Sequence, residues 1–224
     1  MINTRLLLSW YAGAMVRSGT MGCLVFALFV LVDVAGCRSK SVYKPMDESY
    51  YLNPDVDLKS LGRVALVEFN NRSSYPDFSR TVSDALFNAL QKKQRFGLVT
   101  VAQNEQIWRN VQADPDAPLS PKLLLDMQRS LKSSAVLTGV ITQYEPYPHT
   151  KVGLRMKLIN LRDGKLVWAV EQVWDSSDRS TQTRIRAYLD GQQKSRQSKG
   201  AVDLATVSTK RYMQFVAYEV AETL

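Results

Sequence analysis

Few residues of this 224-residue chain combine a reactive type with a spacing that would let them do chemistry. Glu68 closes the apolar run Val64-Ala65-Leu66-Val67 and has two readings. One is an acid with a pKa raised by burial; the other, commoner arrangement is a strand-end carboxylate paired with a neighbouring Arg or Lys. Asp175 and Asp178 follow a β-rich run and have the oxygen ligands for a cation, yet with Ser176 and Ser177 between them they fit a turn equally well. The lone His149 sits between Pro148 and Thr150 and cannot build a histidine-rich zinc site, so it reads as a solvated loop residue. No glycine-rich phosphate loop, Gly-x-Ser-x-Gly elbow or metal-ligand spacing occurs. The expectation is no catalytic residue, no metal and no cofactor.

The remaining candidate is Cys37. Leu24 to Val32 is a run of nine apolar residues, preceded by Arg17 and closed by small residues. That is the charged, apolar, small order of a secretory signal peptide, and it is too short to span a bilayer. Val34-Ala35-Gly36-Cys37 resembles the lipobox of bacterial lipoproteins. The resemblance implies that the Cys37 thiol takes a diacylglycerol, that residues 1–36 are cut away, and that Cys37 becomes an acylated first residue. Two plainer readings stand beside it: an ordinary secreted cysteine, and an uncleaved anchor interrupted by Asp33. A start at Met15 rather than Met1 would give the more ordinary Met-Val-Arg opening. An Asp directly after the lipidated Cys holds enterobacterial lipoproteins at the inner membrane. Arg38 stands there instead, which points to the outer membrane with the domain in the periplasm. With Cys23 removed and Cys37 lipidated, no thiol is left for a disulfide, a metal cluster or a nucleophile.

Removal of residues 1–36 takes two of the 29 basic residues and one of the 21 acidic ones, leaving a net charge of about +7. That favours anionic surfaces such as lipid headgroups or acidic wall polymers; a nucleic-acid partner is not expected of an exported protein. Enough chain remains for one domain with its own core.

The elements follow from periodicity. Residues 37–60 have no sustained period and read as a lipidated tether, and 61–224 as a single domain. Gly62 to Asn70 reads as a strand buried on both faces and is placed at the centre of the sheet. Pro76-Asp77 opens a helix whose Phe78, Val82, Ala85, Leu86, Ala89 and Leu90 share a face, closed by Lys92, Lys93 and Arg95 and stopped by Gly97. Leu98 to Val101 is a short strand; helices follow near Asn104 to Val111 and after Ser120-Pro121. Ala135 to Tyr144, Lys151 to Leu161 and Leu166 to Trp174 read as an antiparallel meander, the last two joined at Asp163-Gly164. Trp168 and Trp174 fall on the same side of the last strand, for packing against a helix or for an exposed aromatic strip. Residues 176–200 read as a weak helix and a basic flexible segment. Lys210 to Leu224 forms a helix with Tyr212, Phe215, Val216, Glu219 and Val220 on one face. The fold expected is a three-layer-like α/β sandwich, a mixed sheet with helices packed on it.

The blocks Val64 to Asn70, Ala135 to Ile141, Leu154 to Asn160 and Asp163 to Trp168 resemble the periplasmic domain of curli-secretion-channel lipoproteins of the CsgG type. The likeness extends to TolB amino-terminal domains and to the lipoprotein activator of a penicillin-binding protein. It implies a lipid-anchored envelope protein with a protein partner or self-association. The curli channel inserts two membrane-crossing hairpins, after the equivalents of Tyr144 and Trp174. Here the first link, Glu145 to Thr150, is shorter than the roughly 9–11 residues of one crossing strand. The second place is basic and lacks lipid-facing alternation, so no pore is expected. Arg179, Arg184, Arg186, Lys194, Arg196 and Lys199 are the candidate partner-binding residues. The functional expectation is a non-enzymatic role in outer-membrane assembly, secretion or transport. The alternatives are a regulator of a cell-wall synthase and a wall-modifying hydrolase.

Overall fold

The computed structural model describes residues 50–112, 117–192 and 208–224. The stretch read as a signal peptide (1–36), Cys37, the first part of the stretch read as a tether, and Lys194, Arg196 and Lys199 lie outside those residues. Seven strands form one sheet: β1 (Tyr50–Leu52), β2 (Arg63–Val67), β3 (Asn70–Asn71), β4 (Gly97–Val101), β5 (Ala135–Glu145), β6 (Lys151–Asn160) and β7 (Leu166–Asp175). Their spatial order is β1-β7-β6-β5-β2-β4, with β3 beside β5. β2 runs parallel to both β4 and β5, whereas β5, β6, β7 and β1 pair antiparallel. The mixed sheet and its meander match the sequence expectation. β2 itself is one strand in from the β4 edge rather than at the centre, because the meander and β1 all lie on its other side.

Five helices accompany the sheet among the described residues: α1 (Phe78–Lys93), α2 (Gln106–Gln112), α3 (Pro121–Leu131), α4 (Arg179–Gln192) and α5 (Thr209–Glu222). The alternation of β2 shows why its sequence is apolar throughout. Val64 and Leu66 pack with α1 and α5 on one face, while Ala65 and Val67 pack with Val111 of α2 and Met127 of α3 on the other. Leu154, Met156 and Leu158 of β6 point to the α1–α5 face, each burial contributing about 2 kcal/mol.

Local chemistry sets the helix ends. The Ser120 hydroxyl accepts from the Leu123 N–H and Pro121 takes the first turn of α3, satisfying a donor that the helix itself leaves free. α1 stops at Gln94, in the left-handed region at φ 53°, and Gly97 opens β4 instead of ending the helix. Between β6 and β7, Gly164 adopts φ 71° and its N–H bonds the Asn160 carbonyl at 2.9 Å. That conformation favours glycine and explains the Asp-Gly pair.

Two stretches differ from expectation. Part of the stretch read as tether belongs to the sheet, since β1 pairs with Trp168, Ala169 and Val170 of β7. Leu58–Leu61 then forms a 3-10 turn that buries Leu58 and Leu61 and is capped by the Asp57 side chain. The segment read as weakly helical carries 14 residues of α4, anchored by buried Thr181 and Ile185. A short turn between Glu145 and Lys151 links β5 to β6, and helix α4 follows β7.

Candidate functional site

Glu68 follows β2 and acts as a joint. Its carboxylate accepts from the Ser79 hydroxyl at 3.1 Å and the Gln103 backbone N–H at 3.2 Å, and its carbonyl accepts from the Trp108 indole at 2.6 Å. Gln103 Nε2 also donates to Ser79 Oγ at 2.9 Å. The group therefore ties β2, α1 and α2 together.

Asp175 and Asp178 are occupied by the local chain. Asp175 accepts from the Ser177 N–H at 2.8 Å and hydroxyl at 2.6 Å, and pairs with Lys151 at 3.2 Å. Burial works against its ionisation, but the Ser177 donors and Lys151 outweigh it and hold the carboxyl below the usual range. Asp178 caps α4 by accepting from Ser180 and from the Thr181 N–H at 3.1 Å, and these donors hold its carboxyl low as well. Both residues are thus a turn and a cap. His149 is exposed, directly after Pro148. Among the described residues no cluster of three or more His, Cys, Asp or Glu side chains has a metal-binding arrangement.

The basic residues of α4 divide. Arg179 and Arg186 are exposed, whereas the Arg184 Nε donates to Oε1 of fully buried Glu219 at 2.9 Å. Arg184 is therefore engaged inside the domain, bracing α4 against α5. Trp174 and Trp168 also face α5: their indoles donate to Glu219 Oε2 at 2.8 Å and to Thr223 Oγ1 at 3.1 Å. Both rings are fully buried, so the same-side placement serves core packing. The nearby Tyr212 hydroxyl is buried without a hydrogen-bond partner. Burial first, then the Asp175 and Glu219 carboxylates, push its pKa far up.

The exposed features lie elsewhere. Of the eight exposed large apolar side chains among the described residues, Tyr50, Tyr51, Leu52, Leu166 and Val173 all belong to β1 and β7. α2 and α3 cover β2, β4 and the near ends of β5 and β6. Beyond them a groove of about 410 Å³ is lined by Tyr51, Val140, Arg155, Lys157, Leu166, Ala169 and Glu171. Periodicity did not single out this place, because its tyrosine, Tyr51, lies in three-residue β1. A second groove, of about 770 Å³, lies between α1, α4 and α5 around Tyr188 and Tyr218, where Lys93 pairs with Glu222 at 2.7 Å.

No protein-family model and no curated protein sequence matches the chain. Among solved structures it is similar to the PelC dodecamer from Paraburkholderia phytofirmans, at 19% identity over 56% of this chain and 78% of that one, with a TM-score of 0.40. It is similar to lipoprotein GNA1162 from Neisseria meningitidis, at 18% identity over 58% and 96% of the two chains, TM-score 0.41. The LpoB C-terminal domain from Escherichia coli gives 22% identity over 50% and 82%, TM-score 0.34.

Proposed function

We propose that the chain is a lipid-anchored envelope protein that acts by binding another protein, without catalysis, in outer-membrane assembly, secretion or transport. The observation that carries this reading is the gathering of exposed apolar side chains on β1 and β7, a feature of interaction surfaces rather than of a general solvated face. The lipobox-like Val34-Ala35-Gly36-Cys37 supplies the anchor. A second reading, regulation of a cell-wall synthase, is favoured by the likeness of the blocks within residues 62–174 to the penicillin-binding-protein activator group. A wall-modifying hydrolase is disfavoured, because Glu68, Asp175 and Asp178 are engaged by serine, threonine and backbone donors.

Fractionation tests the anchor. Cys37→Ser is expected to move the folded domain to the soluble fraction; a variant that stays with membranes defeats the anchored reading. Deletion of the chain then separates the two roles. Lost export or outer-membrane assembly at a normal rate of wall synthesis supports the first, and slowed wall synthesis with normal export supports the second. Lipidated protein in planar bilayers is expected to give no stable channel currents.

A further inference from the structure

We propose that the end of the sheet where β2, β4 and β5 begin docks on an anionic phospholipid surface. The inference rests on the lipid-anchored reading above and names the face of the body that meets the membrane. Backbone hydrogen bonds stitch this end together: the Gly97 N–H donates to the Gly62 carbonyl at 2.7 Å, the Ser134 N–H to the Arg63 carbonyl at 2.8 Å, and the Leu161 N–H to the Ser134 carbonyl at 2.8 Å. Around those bonds stand Lys59, Arg63, Lys92, Arg95, Arg129, Lys132 and Arg162, all exposed. None of these seven side chains has an ion-pair partner among the described residues. Two further cations here, Lys93 and Lys165, are taken by Glu222 and Asp163. Asp55, Asp57 and a carboxylate at Leu224 are left to face the seven, a surplus of about four positive charges. The opposite end of the sheet holds six carboxylates beside its basic residues: Glu68, Asp77, Glu105, Glu145, Asp175 and Asp178.

The layout suits a plane rather than a pocket. Arg162 lies in the β6–β7 turn and Arg95 just before β4, so the charges span most of the sheet, about 15–20 Å across the strands. A small anion needs donors that converge on one point, whereas charges spread over such a width act together on an extended polyanionic surface. Carbonyl dipoles account for Lys92, Arg95, Arg129 and Lys132 at the C-terminal ends of α1 and α3, but Arg63 and Arg162 stand at no helix end. Chain length brings the surface within reach. Cys37 precedes Tyr50 by 13 residues, which span at most about 45 Å. The 11-residue β5 is about 36 Å long, so a body tethered at Cys37 can bring this end to the bilayer that holds it. The tether also keeps the local concentration of that bilayer high.

The test places the full chain, purified from its own membranes, on vesicles that carry a headgroup quencher. A coumarin amino acid replaces exposed Ser130, beside Arg129, or exposed Ser74, at the other end of the sheet. On phosphatidylcholine with about a third phosphatidylglycerol, the probe at 130 is expected to be quenched more than the probe at 74. Pure phosphatidylcholine should erase the difference, and so should about 1 M salt, where the Debye length falls to about 3 Å. Each basic group near an anionic bilayer is worth about fivefold. Arg95→Gln with Arg129→Gln is therefore expected to lower the ratio of docked to free body about 25-fold, while Arg179→Gln with Arg186→Gln on α4 leaves it within about twofold. Equal quenching at both positions, a difference indifferent to lipid charge and salt, or equal effects of the two double variants overturns the proposal. So does binding of soluble polyglutamate or an acidic wall polymer with no preference on the vesicles. Flotation with pure phosphatidylcholine vesicles reports the anchor separately, and a chain that does not float defeats the anchored reading. Salt-sensitive binding of that chain to the anionic vesicles, lost in the Arg95 and Arg129 variant, would still support the docking face; its absence overturns it.

Discussion

The indole N–H of Trp174 reaches Oε2 of Glu219 at 2.8 Å, tying the C-terminal half of α5 to the end of β7 through a carboxylate with no solvent exposure. Arg184 supplies the opposing charge from α4. An ionised group so placed is tolerated only while its donors remain, since a buried charge without partners costs several kcal/mol.

Arg184→Ala is therefore expected to destabilise the domain by about 3 kcal/mol, the range for removing one member of a buried pair. Arg179→Ala and Arg186→Ala, at exposed positions, are expected to stay within about 0.5 kcal/mol. Urea unfolding of the three variants checks this. Equal effects at all three positions would mean that the Arg184–Glu219 pair is not a brace.

Glycine positions give a second contrast. A Cβ at Gly139 would stand 2.7 Å from the Arg155 carbonyl oxygen, 2.9 Å from Met156 Cγ and 3.2 Å from Phe69 Cε2, so Gly139→Ala forces β5 and β6 apart. A loss of about 2–3 kcal/mol is expected by overpacking. At Gly191 nothing lies within 4 Å, and Gly191→Ala near the end of α4 is expected to be neutral or to stabilise by up to about 0.5 kcal/mol. Thermal unfolding compares the two.

At high pH the helix-layer tyrosines Tyr188, Tyr212 and Tyr218 hold their protons longer than a free tyrosine does. Burial first, then the hydrogen bond and charge of Glu222, push the Tyr218 pKa up to about 12. A group whose folded pKa lies above its unfolded value near 10 contributes stability that is full below about pH 10 and is lost as pH rises toward 12. Tyr218→Phe should flatten the stability curve in that window. Phenolate absorbance of the parent chain minus that of Tyr218→Phe should show the Tyr218 ionisation near pH 12.

Acid acts through Asp175. Its depressed folded pKa means a stabilising contribution that is present above about pH 4 and lost as pH falls through the folded value. Asp175→Asn is expected to lose the Lys151 pair and to show a shallower fall of stability below pH 4 than the parent chain. Parallel urea curves at several acid pH values measure it; an unchanged slope would show that the pair with Lys151 and the Ser177 bonds carry no linkage.

Periodicity made much of this fold legible. The unbroken run in β2 needed two apolar faces and has them, and the 3.6-residue spacing of α1 and α5 marked the sides that pack. The period of two in β7 placed Trp168 and Trp174 together, although only the structure shows α5 above them. β1 was not legible, because Tyr-Tyr-Leu is too short for any period and its partner strand lies more than a hundred residues away. The Arg184–Glu219 pair was hidden for a related reason: a basic residue in a polar stretch looks the same whether it meets water or a buried carboxylate 35 residues later. The apolar edge needed both facts at once, the position of β1 and the exposure of its side chains.

The pairing of β1 also has a mechanical side. Three residues join the sheet there through a short ladder, whereas β5, β6 and β7 are zipped along ten or more residues each. Tension arriving along the chain from the side of Cys37 meets Tyr50–Leu52 before any other described strand. With Cys37 anchored as proposed, β1 is the first of the described strands to peel, absorbing a pull that would otherwise load the core.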